Sequence, residues 1–341
     1  MEKVAVVILN WNGIKYLKQF LPSVIKYTPS ALIVIADNNS TDDSVEFVRS
    51  SFPSVQIIAF TENNGFCEGY NKALAQIKAE YYIILNSDVE VTENWLPPLL
   101  QLMEADKSIA ACQPKIKSWH NKKLFEYAGA AGGYIDKFGY PFCRGRVFDT
   151  LEEDEGQYND TKQVFWASGA CLLIRAECFT KTGGFDPLFF AHMEEIDLCW
   201  RLNRMGYKIV ACGKSEVFHV GGGTLPHNNP KKTYLNFRNN LILLYKNLPS
   251  KHFIGVIFLR LLLDGLAGFR FLLSFSFGHI LAILKAHLFF YYNFRVIAKK
   301  KKEFKEEVGV DLSNIIYQRL SPIQYFVFKR RKFRELPKYP R

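Results

Sequence analysis

No uninterrupted apolar run in the 341 residues reaches the roughly 18 to 20 that a membrane-spanning helix needs. Residues 253–292 come nearest, and Arg260, Asp264, Arg270, His279 and Lys285 break that stretch. No C-x-x-C pair occurs either. Cys67, Cys112, Cys143, Cys171, Cys178, Cys199 and Cys212 are an odd number scattered singly, so they read as reduced thiols of a cytosolic protein and not as a disulfide framework. No basic segment or small-residue cleavage site precedes the strand-like residues 4–9, and a secretory route is not expected. The G-x-G-x-x-G of a dinucleotide fold is missing after that segment, which argues against a Rossmann dehydrogenase. Net charge is almost absent from most of the chain. Residues 1–250 hold 26 Lys and Arg against 27 Asp and Glu, so the formal +11 resides in residues 251–341, where 18 basic side chains face 6 acidic ones.

What is present is a repeated unit. Continuous, β-branched apolar runs at residues 4–9, 31–36, 55–59 and 81–85 have the pattern of strands buried on both faces of a parallel sheet. Helical spacing separates them: Tyr16, Phe20 and Val24 after the first, Val45 and Val48 after the second, Leu74 and Ile77 after the third. A Ser40/Thr41 cap, with Asp42 and Asp43 in the first turn, introduces the second helix. Such alternation predicts an open α/β sheet with right-handed connections.

Each strand ends in a polar cluster: Asn10-Trp11-Asn12-Gly13, Asp37-Asn38-Asn39-Ser40, Asn63-Asn64-Gly65 and Asn86-Ser87-Asp88. An open parallel sheet brings all four to its carboxyl edge, where such sheets bind ligands. Turn preference explains any one of them. Four in succession, two with carboxylates, predict a polar site of nucleotide size.

From residue 109 to 175 the pattern shortens, with glycines and aromatics that suggest an irregular, partly antiparallel region. A sharp loop, Gly183-Gly184-Phe185-Asp186-Pro187, precedes a helix expected to begin near Glu194, run through Met205 and end at Gly206. Glu194, Glu195 and Asp197 occupy its first turn, where the helix dipole favours carboxylates whatever else they do. His219 leads into a glycine loop, Gly221-Gly222-Gly223.

Taken together, these segments resemble the family 2 glycosyltransferases with the GT-A fold, in particular the rhamnosyltransferase-like branch. The resemblance spans roughly residues 3–245. It rests on ordered motifs: the opening run that ends Asn10-Trp11-Asn12-Gly13, Asp37-Asn38-Asn39-Ser40-Thr41-Asp42, Asn63-Asn64-Gly65-Phe66 and Leu85-Asn86-Ser87-Asp88-Val89. Ser168-Gly169-Ala170-Cys171, Gly183-Gly184-Phe185-Asp186 and Glu194-Glu195-Ile196-Asp197 follow, and then His219. The resemblance implies an open, mostly parallel nucleotide-binding sheet flanked by helices. It implies that Asn10, Trp11, Asn12, Asp37, Asn63, Gly65, Asn86 and Ser87 bind a nucleotide-diphosphate sugar, dTDP- or UDP-linked, with Asp37 on the pyrimidine.

Asp88 matches the last position of the family's Asp-x-Asp motif, whose first carboxylate is here Asn86. With His219 it would hold Mg²⁺ or Mn²⁺. Glu195 stands where the family has its catalytic base, usually Asp; Glu194 is its neighbouring competitor. Asp197 orients the site or caps the helix. Trp166, Gly169 and Ala170 match the acceptor-side wall, and Trp166 either stacks on a sugar or belongs to the core. One base, one metal and no candidate covalent nucleophile predict single displacement with inversion. The rival reading is an inactive nucleotide-sugar-binding scaffold. A nucleotidyltransferase would need a Gly-rich, Arg-containing opening loop in place of Asn10-Trp11-Asn12-Gly13.

The expected division is a catalytic domain at 1–248, with a nucleotide-sugar half at 1–108 and an acceptor half at 109–248, followed by a basic amphipathic helical tail at 249–341. Arg260 and Asp264 share one helical face. The aliphatic stretches, with basic clusters at 299–302 and 329–332, predict helices lying in an anionic membrane surface. Packing on the catalytic domain, or on a second copy in a homodimer, is the alternative. No nucleic-acid recognition module accompanies the basic charge. The expected location is cytoplasmic, on the inner face of the cell membrane, with a glycan or lipid-linked acceptor.

Overall fold

The computed structural model describes residues 2–221, 229–303 and 310–337, with residues 250–252 by backbone alone. The predicted alternation is present as β1 (Glu2–Asn10), α1 (Ile14–Tyr27), β2 (Leu32–Asp37), α2 (Ser44–Ser51), β3 (Gln56–Ala59), α3 (Gly65–Leu74) and β4 (Ala79–Asn86). Next come β5 (Val89–Val91), α4 (Leu96–Ala105) and β6 (Ile109–Ser118). The irregular region supplies short strands: β7 (Gly133–Asp136), β8 (Pro141–Cys143), β9 (Arg146–Val147), β10 (Thr150–Leu151) and β11 (Thr161–Val164). Then follow β12 (Cys171–Arg175), α5 (Ala176–Lys181), α6 (Glu194–Arg204), β13 (Lys208–His219) and α7 (Pro230–Asn247). The tail forms α8 (Ser250–Leu273), α9 (Phe277–Tyr292), α10 (Phe294–Glu303) and β14 (Ile316–Tyr317).

The main sheet runs β11-β13-β6-β12-β4-β1-β2-β3, with β5 beside β13. The half bearing the polar clusters is wholly parallel, β4 to β1 to β2 to β3, and β12 pairs antiparallel with both β4 and β6. Alternate residues of β1 enter opposite cores: Ala5 and Val7 pack in one cluster, Val4, Val6 and Ile8 in the other. Burial on both faces is why these runs are continuous rather than alternating.

A smaller sheet, β10-β9-β8-β7-β14, takes its edge strand from the tail: Ile316 and Tyr317 pair parallel with Ile135 and Asp136. Asp136 accepts hydrogen bonds from Ser321 N and Oγ at 2.8 and 2.7 Å, and Glu152 accepts one from Phe333 N at 2.8 Å. The far end of the basic segment is thus woven into the body of the protein.

Three local expectations change. Ser40 and Thr41 do not cap α2, which begins at Ser44 without a side-chain cap; both residues bind the loop after β1 instead. Ile77 is buried but lies past the end of α3. Met205 is the C-terminal cap of α6, ahead of Gly206 at φ 85°. The glycine loop is described only at Gly221, and residues 222–228 lie outside the described residues. All seven cysteines are buried and none forms a disulfide. Among the described residues no single helix is long and apolar enough to cross a membrane; α9 and α10 reach that length only together, across a 64° bend.

Candidate functional site

The register of β1 and β2 sets Asn10 beside Asp37. Asn10 Nδ2 donates to Asp37 Oδ1 at 3.0 Å, and Ser40 adds its N–H at 2.9 Å and its hydroxyl at 2.6 Å. Asp37 is buried, and with three internal donors it has about one lone-pair site left for a ligand. Asn12 Oδ1 accepts from Thr41 N at 2.7 Å, while Asn38 binds Asn63 Oδ1 and the Gly65 carbonyl, both at 3.0 Å. The polar ends of the first three strands therefore form one hydrogen-bonded rim.

Two glycines are required by its geometry. A Cβ at Gly13 would stand 2.3 Å from Asn10 Oδ1 and 3.6 Å from Ser87 Oγ, so this position faces both. Gly65 has φ 70°, and a Cβ there would meet the Phe190 ring at 2.8 Å. Trp11 is 52% exposed on the rim, a flat apolar face open to a ligand.

β4 ends at Asn86, and the turn behind it carries Asp88 next to His219 at the end of β13. Pairing of β5 with β13 fixes this approach, with Val89 opposite His219. Asp88 Oδ1 lies 3.1 Å from His219 Nε2, and Asn86 Nδ2 is 3.5 Å from the same nitrogen. On the other side of the ring, Glu126 Oε2 is 3.2 Å from His219 Nδ1. Burial alone would lower the His219 pKa, but the Asp88 and Glu126 carboxylates outweigh it and raise it to about 10. Conversely, burial raises Asp88 and Glu126, and the imidazole more than compensates, holding both below the usual carboxylate values.

This cluster fits a divalent cation. The ring's raised pKa means that a cation would displace its proton, and with that proton gone the cluster holds two buried negative charges. The 3.1 Å between Asp88 Oδ1 and His219 Nε2 is the spacing of adjacent ligands around an ion bonded at roughly 2.1–2.2 Å. Glu126 stands where a carboxylate orients a ligating histidine through its second nitrogen. Among the described residues, no three His, Cys, Asp or Glu side chains surround one point as a closed cage would.

Glu195 lies across the same edge. A Cβ at Gly169 would be 3.8 Å from Glu195 Cβ, and the Ala170 carbonyl accepts from Asn86 N at 3.0 Å. Gly169 and Ala170 thus stand between Glu195 and Asn86, whose side chain neighbours His219. Glu195 is partly exposed while its Oε2 is buried without a hydrogen-bond partner; burial raises its pKa to about 7. Glu194, also with an unpartnered Oε2, is more deeply buried, and burial followed by the neighbouring Glu195 holds its carboxyl well above the usual range. Of the two, Glu195 has the exposure to meet a ligand.

The segment leading to this pair is strained: Phe190, His192 and Met193 have φ of 64°, 69° and 71°. Asn239 of α7 restrains it, its Nδ2 donating to the carbonyls of Phe189, Ala191 and His192 at 3.0, 2.8 and 2.7 Å. Neither Asn239 nor Glu126 was expected. The signal for the first is a polar triplet, Arg238-Asn239-Asn240, directly before the apolar run at residues 241–244; Glu126 has no local signal.

Two acceptor-side expectations resolve otherwise. Trp166 is core: it is buried, packs face-on against Gly133, and donates Nε1 to the Tyr134 carbonyl at 2.9 Å. Asp197 neither caps α6 nor faces the opening. Fully buried, it pairs with Arg201 Nε of its own helix at 2.9 Å and joins α6 to α7 through Lys246 Nζ at 3.1 Å and Asn247 Nδ2 at 2.9 Å. Asp197→Ala is expected to lower the unfolding free energy by about 3 kcal/mol by leaving buried cations short of a partner. A urea midpoint within error of wild type would refute that role.

The chain matches the model of glycosyl transferase family 2 over residues 5–182, more than half its length. It is 27% identical over 235 residues to the N-acetylglucosaminyl-diphospho-decaprenol L-rhamnosyltransferase of Mycobacterium tuberculosis, covering 64% of this chain and 76% of that protein. It is 23% identical over 215 residues to the rhamnosyltransferase WbbL of Escherichia coli K12, covering 60% and 79%. Among solved structures, the mannosyltransferase PcManGT of Pyrobaculum calidifontis, in complex with GDP-Man and Mn²⁺, aligns with a TM-score of 0.52 over 89% of this chain and 84% of that one. At 13% identity, that likeness concerns the fold alone.

Proposed function

The chain belongs to glycosyl transferase family 2 and has the GT-A fold, and from that premise we propose that it is an inverting, metal-dependent transferase that moves a deoxyhexosyl or hexosyl group from a dTDP- or UDP-linked donor to an acceptor hydroxyl. The names of the two rhamnosyltransferase relatives support rhamnose as the sugar and cell-surface glycan assembly as the setting. The name of the mycobacterial relative supports a lipid-diphosphate-linked glycan as acceptor.

The observation that supports the reading is that Glu195 borders Gly169, whose neighbour Ala170 bonds to Asn86 beside the Asp88–His219 pair. Asp88 with His219 is built for positive charge. Glu195 keeps an unpartnered carboxylate oxygen near neutrality. Asn10, Asn12, Asp37 and Asn63 make a rigid rim for the nucleoside, with Trp11, Gly65 and Ser87 around it. Asp88 and His219 would hold Mg²⁺ or Mn²⁺, with Glu126 keeping the imidazole in place. A bound cation would neutralise charge growing on the departing diphosphate. Glu195 takes the proton from the acceptor hydroxyl as that oxygen attacks the anomeric carbon from the face opposite the leaving group. No second residue need form a covalent intermediate, so configuration inverts.

A thermal-shift screen of dTDP-rhamnose, UDP-GlcNAc, UDP-glucose and GDP-mannose, each with and without Mn²⁺, tests the reading. Stabilisation by a dTDP or UDP sugar, stronger with Mn²⁺, is the expected result. Equal shifts with and without the ion would count against metal dependence. Donor stabilisation without turnover on any acceptor or water would favour the inactive scaffold.

A further inference from the structure

The hairpin of α8 and α9 is amphipathic in the reverse sense of a helix pair in water. Along α8, Ile254, Phe258, Leu262, Leu266, Phe269 and Leu273 are each more than half exposed and recur every three or four residues as a single stripe. Phe277, Leu281, Leu284 and Leu288 continue it down α9. One charged pair points inward, Arg260 and Asp264 being buried and paired at 2.8 Å, with His287 Nε2 3.1 Å from Asp264 and Arg260 over the Tyr140 ring, while Arg270 and Lys285 are exposed beside the stripe. An exposed apolar surface of this extent on a protein marks a contact surface.

Cations stand at both ends of the stripe. Lys301 donates to the carbonyl of Leu248, at the foot of α8, and belongs to the four lysines at 299–302. Near the other end, Arg270 lies over Phe326, and the basic run at 329–332 follows directly. Two copies meeting through this face would bring those like charges together. An anionic leaflet complements them, each exposed cation adding about 1 kcal/mol.

We propose that the exposed face of the α8–α9 hairpin lies in the surface of an anionic bilayer, its aliphatic stripe among the acyl chains and the two basic clusters on the head groups. The helices lie in the interface plane, consistent with their interrupted apolar length. The start of α9 also ties the hairpin to the donor edge. Gly278 rests on Pro230, a Cβ there meeting it at 3.2 Å, and Thr233 Oγ1 is 2.8 Å from His279 Nδ1. In the same turn of α7, Lys231 stands over Phe190, the ring seated on Gly65. Resting on the transferase reading, this brings the opening beside the leaflet, where an acceptor anchored by a lipid is met.

Flotation of the full chain with vesicles of phosphatidylcholine, and of phosphatidylcholine mixed with phosphatidylglycerol, tests the surface without any substrate. The expected result is binding to the mixed vesicles at least about tenfold above the neutral ones. Leu262→Asp/Leu266→Asp alters exposed positions and should fold. It is expected to lose at least about tenfold in binding, and Lys329→Glu/Lys332→Glu to lose the preference for anionic lipid. Equal flotation of wild type and the Asp variant would overturn the proposal, as would no flotation at all. So would a wild-type dimer in sedimentation that the Asp variant dissolves, since a second copy would then be the occupant. Donor-induced thermal shifts on the same preparations keep the two readings apart: their loss bears on the transferase, and flotation bears on the hairpin.

Discussion

Glu195→Gln is expected to bind a donor sugar as wild type does and to transfer it roughly a hundred to ten thousand times more slowly, the usual contribution of a positioned general base. The substitution keeps length and shape, so the contact with Gly169 and the path of α6 are undisturbed. What it removes is the ability to accept a proton. Burial raises the Glu195 pKa to about 7, so in the wild type the competent, ionised form is depleted as pH falls through that value. The rate should therefore decline toward acid with a slope of one proton, and the Gln variant should lose that limb of the profile. Glu194→Gln alters a more deeply buried neighbour and should leave the limb in place. Turnover of Glu195→Gln at the wild-type rate would move the base to another residue.

Asp88→Ala is expected to abolish the metal dependence of donor binding and to slow transfer by at least about a hundredfold, since Lewis-acid stabilisation is worth several kcal/mol. The variant leaves His219 facing Glu126 alone, and the region keeps one negative charge where it had two. A divalent ion then loses its only anionic ligand among the pair, while the nucleoside rim around Asn10, Asp37 and Asn63 is untouched. Titration calorimetry with donor, with and without Mn²⁺, separates these contributions: residual donor affinity should match that of wild type measured without metal. Undiminished enhancement by Mn²⁺ in the variant would place the ion elsewhere.

How far these sites could be read in advance depended on whether their cause was local. The strands at residues 4–9 and 81–85 are continuous apolar runs, and they occur as Glu2–Asn10 and Ala79–Asn86 because burial on two faces needs no partner's identity to be recognised. The clusters after them share an edge because parallel strands end together. Ser40 and Thr41 differ for the opposite reason: a hydroxyl four residues before a helix looks like a cap, and only the adjoining ends of β1 and β2 offer Asn10, Asn12 and Asp37 as stronger partners. Asp197 presented the same first-turn signal as Glu195. Its partners Lys246 and Asn247 lie about fifty residues on, so tertiary contact alone separates an inward ion pair from an outward acid. Glu126 meets His219 across nearly twice that gap in the chain and could not be found from spacing.

The β14 strand bears on how the molecule is made. Tyr317 is fully buried beside β7, and Ser321 and Phe333 fasten the acceptor-side strands through Asp136 and Glu152. On a ribosome, the alternating units that form the nucleotide rim emerge first and have their parallel neighbours at hand. The small sheet must wait for an edge made nearly two hundred residues later, after the apolar hairpin has already left the exit tunnel. On the bilayer contact proposed above, a nascent chain would meet the lipid surface while still incomplete, and docking would precede the closing of its second sheet.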